Sequence, residues 1–284
     1  MEFKTNKPEK LIKALIHTVQ GMSFGTAQKA IRLGKIKVNN KRVKDNINLN
    51  AGDIVTVYEF NKSKPTVPIL YEDDNIIIVH KPQGIECATR DKSSNNTYSL
   101  EEILEDHSAI VVHRLDRLTE GIVILAKSKE MAVKFEKIFR TREIDKFYQA
   151  TVLGVPKQTG ILKAYLKKNA GSALVDISND EKPDYKEIIT EIDILKDYEQ
   201  YSILDIKLHT GRTHQIRAHM AHLGHPIIGD NKYGSNNNII ENNSYNGYYL
   251  TAYKIVFNIT DHQLKYLNDL HIEITPTWKN NINK

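Results

Sequence analysis

Cysteine is almost absent from this chain: Cys87 is the only one in 284 residues. A single thiol excludes an intramolecular disulfide and a cysteine-rich zinc site, and it fits a reducing cytoplasm. Long apolar runs are also missing. The longest, such as Ile122–Ala126, reach about five residues, far below the roughly 20 that a spanning helix needs. No membrane partner is therefore expected. The first residues, Met1-Glu2-Phe3-Lys4-Thr5-Asn6-Lys7, lead into no apolar core, so no secretory signal is evident and a cytoplasmic location is expected. A strong charge of either sign is lacking as well. The net charge of +5 permits a polyanionic partner without demanding one.

What is present is an ordinary globular composition, 40% hydrophobic and 26% charged, in a chain long enough for one large and one small domain. The most informative stretch runs from Val111 to Lys127. Val111-Val112 enters a charged knot, His113-Arg114-Leu115-Asp116-Arg117, and Gly121 leads out into Ile122-Val123-Ile124-Leu125-Ala126. That reads as strand, loop and buried strand, a rigid frame presenting one acid between two arginines. On the loop alone Asp116 fits two roles. It could be half of a surface ion pair, or a carboxylate kept ionised by cations for use as a nucleophile.

Residues 1–58 read as a small module, 59–66 as a linker, and 67–284 as the main domain. In the module, Leu11, Ile12, Leu15 and Ile16 have helical spacing. Ser23 caps a second helix from Phe24 to Leu33, which Gly34 stops. Ile36 and Val38 alternate with Lys35 and Lys37, and Asn39-Asn40 suits a tight hairpin turn. Lys29, Arg32, Lys35, Lys37, Lys41 and Arg42 could share one basic surface for phosphates, or simply a solvated face. Two prolines, Pro65 and Pro68, close the linker region.

In the main domain, Ile69–Glu72 and Ile76–Lys81 read as a strand pair ending at Lys81-Pro82-Gln83-Gly84. Cys87 reads as packing. Ser99 and Glu102 have capping-box spacing for a short helix. A helix over 131–140 is expected to pack Val133, Phe135, Ile138 and Phe139 inward. A strand opens at Lys146-Phe147-Tyr148-Gln149-Ala150. Residues 163–187 are poor in pattern and read as a loop or hairpin insertion. The strand at Leu204, Ile206 and Leu208 enters Thr210-Gly211-Arg212-Thr213-His214-Gln215-Ile216-Arg217-Ala218-His219, and Gly224-His225-Pro226-Ile227-Ile228-Gly229-Asp230 follows. Here a glycine turn opens a helix. Its Ile216, Met220 and Leu223 face inward, and Arg217 shares that approximate face, in reach of a buried carboxylate. Five histidines between 209 and 225 raise a metal reading, but no carboxylate or cysteine spacing completes a known site, so no metal is expected.

Taken together, His113-Arg114-Leu115-Asp116 with Thr119 and Gly121, the Lys146-x-Tyr148-x-Ala150 stretch, and the two long motifs from Thr210 and Gly224 resemble the RluA-type pseudouridine synthases. The resemblance covers residue 67 onward. The module resembles the alpha-L RNA-binding module of a small-subunit ribosomal protein, through Ser23, Ala27, Ile31, Gly34, Val38, Asn39, Gly52 and Asp53. Asn40 stands where glycine is usual. The implied fold is α+β, a mixed and mainly antiparallel sheet with flanking helices and a central RNA cleft. The implied reaction isomerises uridine in RNA to pseudouridine with no cofactor.

Residue roles follow from the same resemblance. Asp116 is the essential carboxylate, either attacking C1′ or removing a sugar proton, and both routes stay open. Arg217 holds it ionised. Tyr148 stacks on the base. Arg114 fills the place of the displaced nucleotide, as base-modifying enzymes require, and Arg212, His214 and Gln215 are further RNA contacts. Glu120 and Thr251 depart from the family's usual Ser and His. Ribosomal RNA is the first substrate expected and transfer RNA the second, with the chain a monomer. The competing readings are a non-catalytic RNA-binding assembly factor and a hydrolase of free nucleosides. The first would predict a decayed motif. The second would not need the basic module.

Overall fold

The fold is given by a computed structural model, which describes residues 1–19, 22–58, 65–88, 98–169, 174–234 and 247–279. Most of the expected linker, 59–64, lies outside the described residues. The chain divides into two compact units, one carried by Met1–Thr66 and the other by Val67–Ala88 and Ser99–Lys284.

In the first unit, strands β1 (Glu2–Lys4) and β2 (Glu9–Lys10) precede helices α1 (Leu11–Thr18) and α2 (Phe24–Arg32). Strands β3 (Ile36–Val38), β4 (Lys41–Arg42), β5 (Asn48–Leu49) and β6 (Ile54–Val57) follow. They pair in the order β1-β6-β3-β4, with β2 on β5. The helical apolar stripes bury Leu11, Ile12, Leu15, Ala27 and Ile31 against Ile36, Val38 and Val55. The Ser23 hydroxyl accepts from the Thr26 N–H. Asn39 and Asn40 both have positive φ, 48° and 65°, as a two-residue hairpin turn requires. Asn39 also donates to Asp53 and accepts from the Ile54 N–H, so its side chain ties this turn to the next strand.

The second unit is built on one large sheet. Its strands are β7 (Ile69–Glu72), β8 (Ile76–Lys81), β9 (Ile110–Val111), β10 (Glu120–Ala126), β11 (Ile144–Leu153) and β12 (Gly160–Lys168). Then come β13 (Val175–Ser178), β14 (Lys186–Asp197), β15 (Tyr201–Leu208), β16 (Leu250–Phe257) and β17 (Ile272–Glu273). The order is β13-β12-β14-β15-β11-β16-β10-β8-β7, with β17 on β16 and β9 on β10. Among the described residues every pairing is antiparallel except β10 with β16. The pattern-poor stretch over 163–187 holds the hairpin of β12 and β13, with Ala164, Leu166, Val175 and Ile188 in a small core shared with Ala218.

Both faces of the sheet centre are covered, which is why β8 and β10 read as unbroken apolar runs. Ile77, Val79, Val123 and Leu125 point to one side, under helices α3 (Leu100–Ile103) and α5 (Gln215–His222). Ile76, Ile78, Ile122 and Ile124 point to the other, under α4 (Lys129–Thr141). The capping box at Ser99 and Glu102 is present. Helix α4 buries Met131, Ala132, Phe135 and Ile138, but Val133 is 66% exposed and does not pack inward as expected. At 100° per residue Val133 falls outside the stripe that the other four define. Gly121 is required by close approach. A Cβ there would lie 2.4 Å from the Ala252 carbonyl oxygen, so any side chain would force apart the parallel strand pair.

Candidate active site

The loop between β9 and β10 is held from below by groups that leave Asp116 at the surface. Leu115 is buried in the core, and the Cys87 thiol both accepts from its N–H (3.3 Å) and donates to its carbonyl (3.6 Å). Lys81 is fully buried. Its ammonium donates to the carbonyls of Pro82, Ile85 and Arg117 at 3.1, 3.0 and 3.3 Å. Burial pulls it down to about 8, which leaves it protonated at neutral pH. His113 Nε2 accepts the Ile124 N–H at 2.9 Å, and burial drives this imidazole down to about 3. Cys87 is thus packing, as expected, with its thiol also pushed up by burial.

Asp116 does not draw on its sequence neighbours. Among the described residues neither Arg114 nor Arg117 pairs with it, and both are exposed. Its cation comes from α5, 101 residues away: Arg217 Nη1 donates to Asp116 Oδ2 at 2.8 Å. The same guanidinium grips Asp230 through Nε (2.7 Å) and Nη2 (2.8 Å). Arg217 and Asp230 are both buried. Burial works against the arginine's charge, yet the bonds to Asp230 and the charge around it outweigh this, and its pKa rises. Burial would raise Asp230 too, but Arg217 overrides it and holds the carboxyl below its ordinary range. One buried carboxylate therefore fixes the arginine that reaches the partly exposed one.

Two further groups converge on Asp116 Oδ2. The Tyr248 hydroxyl lies 3.4 Å away and also meets the Thr119 hydroxyl at 3.0 Å. A carboxylate only accepts, so the phenol donates to Asp116 and takes its second bond from Thr119. The ring of Tyr248 lies 4.4 Å from the Arg217 guanidinium carbon, which stacks on its face. His214 Nε2 stands 3.7 Å from the same oxygen, and its Nδ1 meets the Tyr233 hydroxyl at 2.8 Å. His214 has φ of 55°, a left-handed conformation of the kind that clusters at functional sites. Among the described residues every bond to the Asp116 carboxylate goes to Oδ2, and none to Oδ1.

Tyr148 lies on the same sheet face, buried among Leu115, Ile216, Met220 and Tyr248. Burial and then the Asp116 charge push its hydroxyl up, so the ring is a neutral phenol at physiological pH. The structure brings together Asp116, Arg217 and His214, and leaves Arg114 and Arg212 exposed on the adjoining loops. Gln215 differs from its expectation as an RNA contact. It is buried, accepting from the Thr210 hydroxyl and the Arg212 N–H and donating to the Ile189 carbonyl and Thr190. With both ends of its amide used, it joins the start of α5 to β14. In the first unit Lys29, Arg32, Lys41 and Arg42 are exposed, while Lys35 and Lys37 are half-buried, the latter 5.1 Å over the Tyr58 ring.

The five clustered histidines each have a separate partner: Glu191 for His209, Tyr233 for His214, Thr190 for His219, Asn179 for His222 and the Leu153 carbonyl for His225. Glu120 is not among the groups that meet Asp116. It is buried between His80 (2.8 Å), Thr251 (2.9 Å) and the hydroxyl and N–H of Thr277, and Trp278 donates in turn to Thr251. Glu120 and Thr251 are register partners across β10 and β16, so the two departures from the family pattern bond to each other.

Sequence reasoning missed Tyr248 and Tyr233, and it quoted Lys81 and Asp230 only as motif members. Tyr248 gives no local signal, since a tyrosine beside a strand is most often core.

The buried histidines set a pH dependence. Burial pulls His219 down to about 4 and His113 to about 3, whereas an unfolded chain protonates its histidines near 6.5. The unfolded state therefore binds more protons below pH 6.5, and stability present in full above that value is lost as pH falls. Urea unfolding at pH 6.5, 5.5 and 4.5 should show a steady fall in midpoint, and a smaller fall in His219→Gln. Parallel profiles for the two proteins would refute the assignment.

Comparison with known proteins is consistent over most of the chain. A family profile described as RNA pseudouridylate synthase matches residues 75–222. An RNA pseudouridine synthase of Mycoplasma capricolum is 31% identical, covering 97% of this chain and 96% of the relative. A ribosomal large subunit pseudouridine synthase C of Vibrio cholerae is 32% identical, covering 72% of this chain and 70% of the relative. The solved structure of human RNA pseudouridylate synthase domain containing 1 superposes with a TM-score of 0.60 at 21% identity, covering 77% of this chain and 86% of that one. At that identity the superposition speaks for the fold.

Proposed function

This chain belongs to the RNA pseudouridylate synthase family, and from that premise we propose that it isomerises uridines of large-subunit ribosomal RNA, with Asp116 as the essential carboxylate. The enzyme class is an isomerase acting on RNA. In the reaction the N1–C1′ bond breaks, the uracil turns, C5 bonds to C1′, the C5 hydrogen leaves and N1 gains a proton. Atoms balance without a co-reactant. The ribosomal assignment is supported by the Vibrio cholerae relative, which is a ribosomal large subunit pseudouridine synthase.

The observation that carries the catalytic reading is the bridge Asp116–Arg217–Asp230. A partly exposed carboxylate has one oxygen fixed by a buried cation and the other free for the sugar, whether for attack at C1′ or for proton removal. Tyr148 offers a neutral ring face to the base. Arg114, exposed two residues before Asp116, takes the space or the phosphates freed when the target nucleotide leaves its stack. Residues 1–58 act as an alpha-L RNA-binding module joined through 59–66 to the domain of 67–284. The exposed Lys29, Arg32, Lys41 and Arg42 support a sequence-tolerant grip on structured RNA.

The test is to express the protein and Asp116→Ala in a host lacking its own enzymes of this type, and to map pseudouridines across ribosomal and transfer RNA by carbodiimide-based sequencing. Sites in large-subunit RNA that appear with the wild type and vanish with the variant are expected. Identical maps, with both proteins still binding RNA, would leave the non-catalytic assembly-factor reading in its place.

A further inference from the structure

Lys146 carries a charge that no described residue around it neutralises. It lies on β11 two residues before Tyr148, next to the register shift between Phe147 and Tyr148 where this strand pairs with β16. Its Nζ is 5.7 Å from the centre of the Phe139 ring, and that ring packs at 4.6 Å against His113. On the other side, a Cβ added to Gly211 would come within 3.3 Å of Nζ. The ammonium is therefore bracketed by the start of the loop that carries Asp116 and by the turn that carries Arg212 and His214.

Among the described residues no carboxylate, carbonyl or hydroxyl pairs with Lys146. Three other lysines of this unit that are shielded from solvent are paired. Lys81 has three carbonyls, Lys127 has Glu72 and Lys207 has Asp145. His113 supplies nothing, because its Nε2 lone pair is taken by the Ile124 N–H. Burial lowers the Lys146 pKa and no neighbouring acid opposes it. Shielded charges are normally paired, and an unpaired one costs stability. The Phe139 face attracts the ammonium without cancelling its charge.

We infer that Lys146 is a phosphate-binding residue, and that the missing counter-ion is a phosphodiester of the RNA strand beside the nucleotide presented to Asp116. An ammonium is a compact charge with three donors on a flexible stem, suited to a phosphate of variable approach. Gly211 keeps that approach open, since a side chain there would crowd Nζ. The inference rests on the RNA-modifying function proposed above.

Lys146→Met keeps the length of the side chain and removes the charge. Binding to a transcript of large-subunit ribosomal RNA, measured by filter retention over a series of salt concentrations, separates the outcomes. The variant should bind about tenfold more weakly at low salt. The slope of log affinity against log salt should shrink by about 0.7–0.9, one phosphate contact. Its melting temperature should rise by about 2–4 °C, because an uncompensated shielded charge is gone. Lys146→Arg should keep the wild-type slope. A lysine that merely supported the fold would give the opposite signature, a lower melting temperature with the slope unchanged, and an unchanged slope overturns the inference. Pseudouridine formation by the wild type is assayed in the same preparation. If it is absent, the proposed function fails; if it is present with an unchanged slope in Lys146→Met, only the phosphate site fails.

Discussion

Arg217→Met is expected to cost about 3–5 kcal/mol of folding stability, the range for removing one partner of a buried ion pair. In a unit of this size that corresponds to a fall in melting temperature of roughly 6–20 °C. The reason lies less in Asp116, which keeps access to water, than in Asp230. Asp230 is 1% exposed and takes two bonds from the guanidinium. Without Arg217 it would keep, among the described residues, only the backbone N–H groups of Lys232 and Tyr233. The double variant Arg217→Met, Asp230→Leu should recover part of the loss, because the stranded carboxylate is gone. Its activity should stay absent, since Asp116 still lacks its cation. Thermal melting of the three proteins decides the matter, and a single variant that melts with the wild type would show that Asp230 does not depend on Arg217.

Asp116→Asn should have the largest effect on catalysis, a loss on the order of 10⁴-fold in the single-turnover rate of pseudouridine formation, as when one essential catalytic group is removed. An amide has the shape of the carboxylate but is a poor nucleophile and a poor base. The variant should still fold, because Arg217 keeps both bonds to Asp230 and the carbonyl of the introduced amide can accept from Nη1. RNA affinity should stay within a few-fold of wild type. A rate within tenfold of wild type would remove Asp116 from the chemistry and point to Tyr148 or His214 as the group that acts on the nucleotide. Asp116 and Arg217 are in contact, so their variants should not be additive in either assay.

Much of this architecture was legible in the chain. The stripes of α1 (apart from Ile16, which is exposed) and α2, the Ser23 cap, the Asn39-Asn40 turn and the capping box of Ser99 and Glu102 are local, and each is where its residues place it. The same holds for Asp116, because its motif is contiguous. Local pattern failed at Val133, an apolar residue on a solvent face, and at Gln215, whose amide is used up inside the fold. Over 163–187 it gave only a loop or hairpin insertion; the structure has the hairpin of β12 and β13 there, with a small core that takes in Ala218 of α5.

Periodicity reports which face of an element is buried, and turn residues report where the backbone needs an unusual φ. Both are properties of neighbours in the chain, and they mark out the elements and the loop bearing Asp116. Which groups meet that loop depends on strand order. Placing β16 parallel to β10 aligns Thr251 with Glu120 and brings Tyr248, 132 residues from Asp116, against its carboxylate. Seating α5 on the same sheet face as Tyr148 brings Arg217 there as well. These contacts join segments more than a hundred residues apart. No local spacing encodes them, and they exist only because burying both faces of one sheet leaves those side chains nowhere else to go.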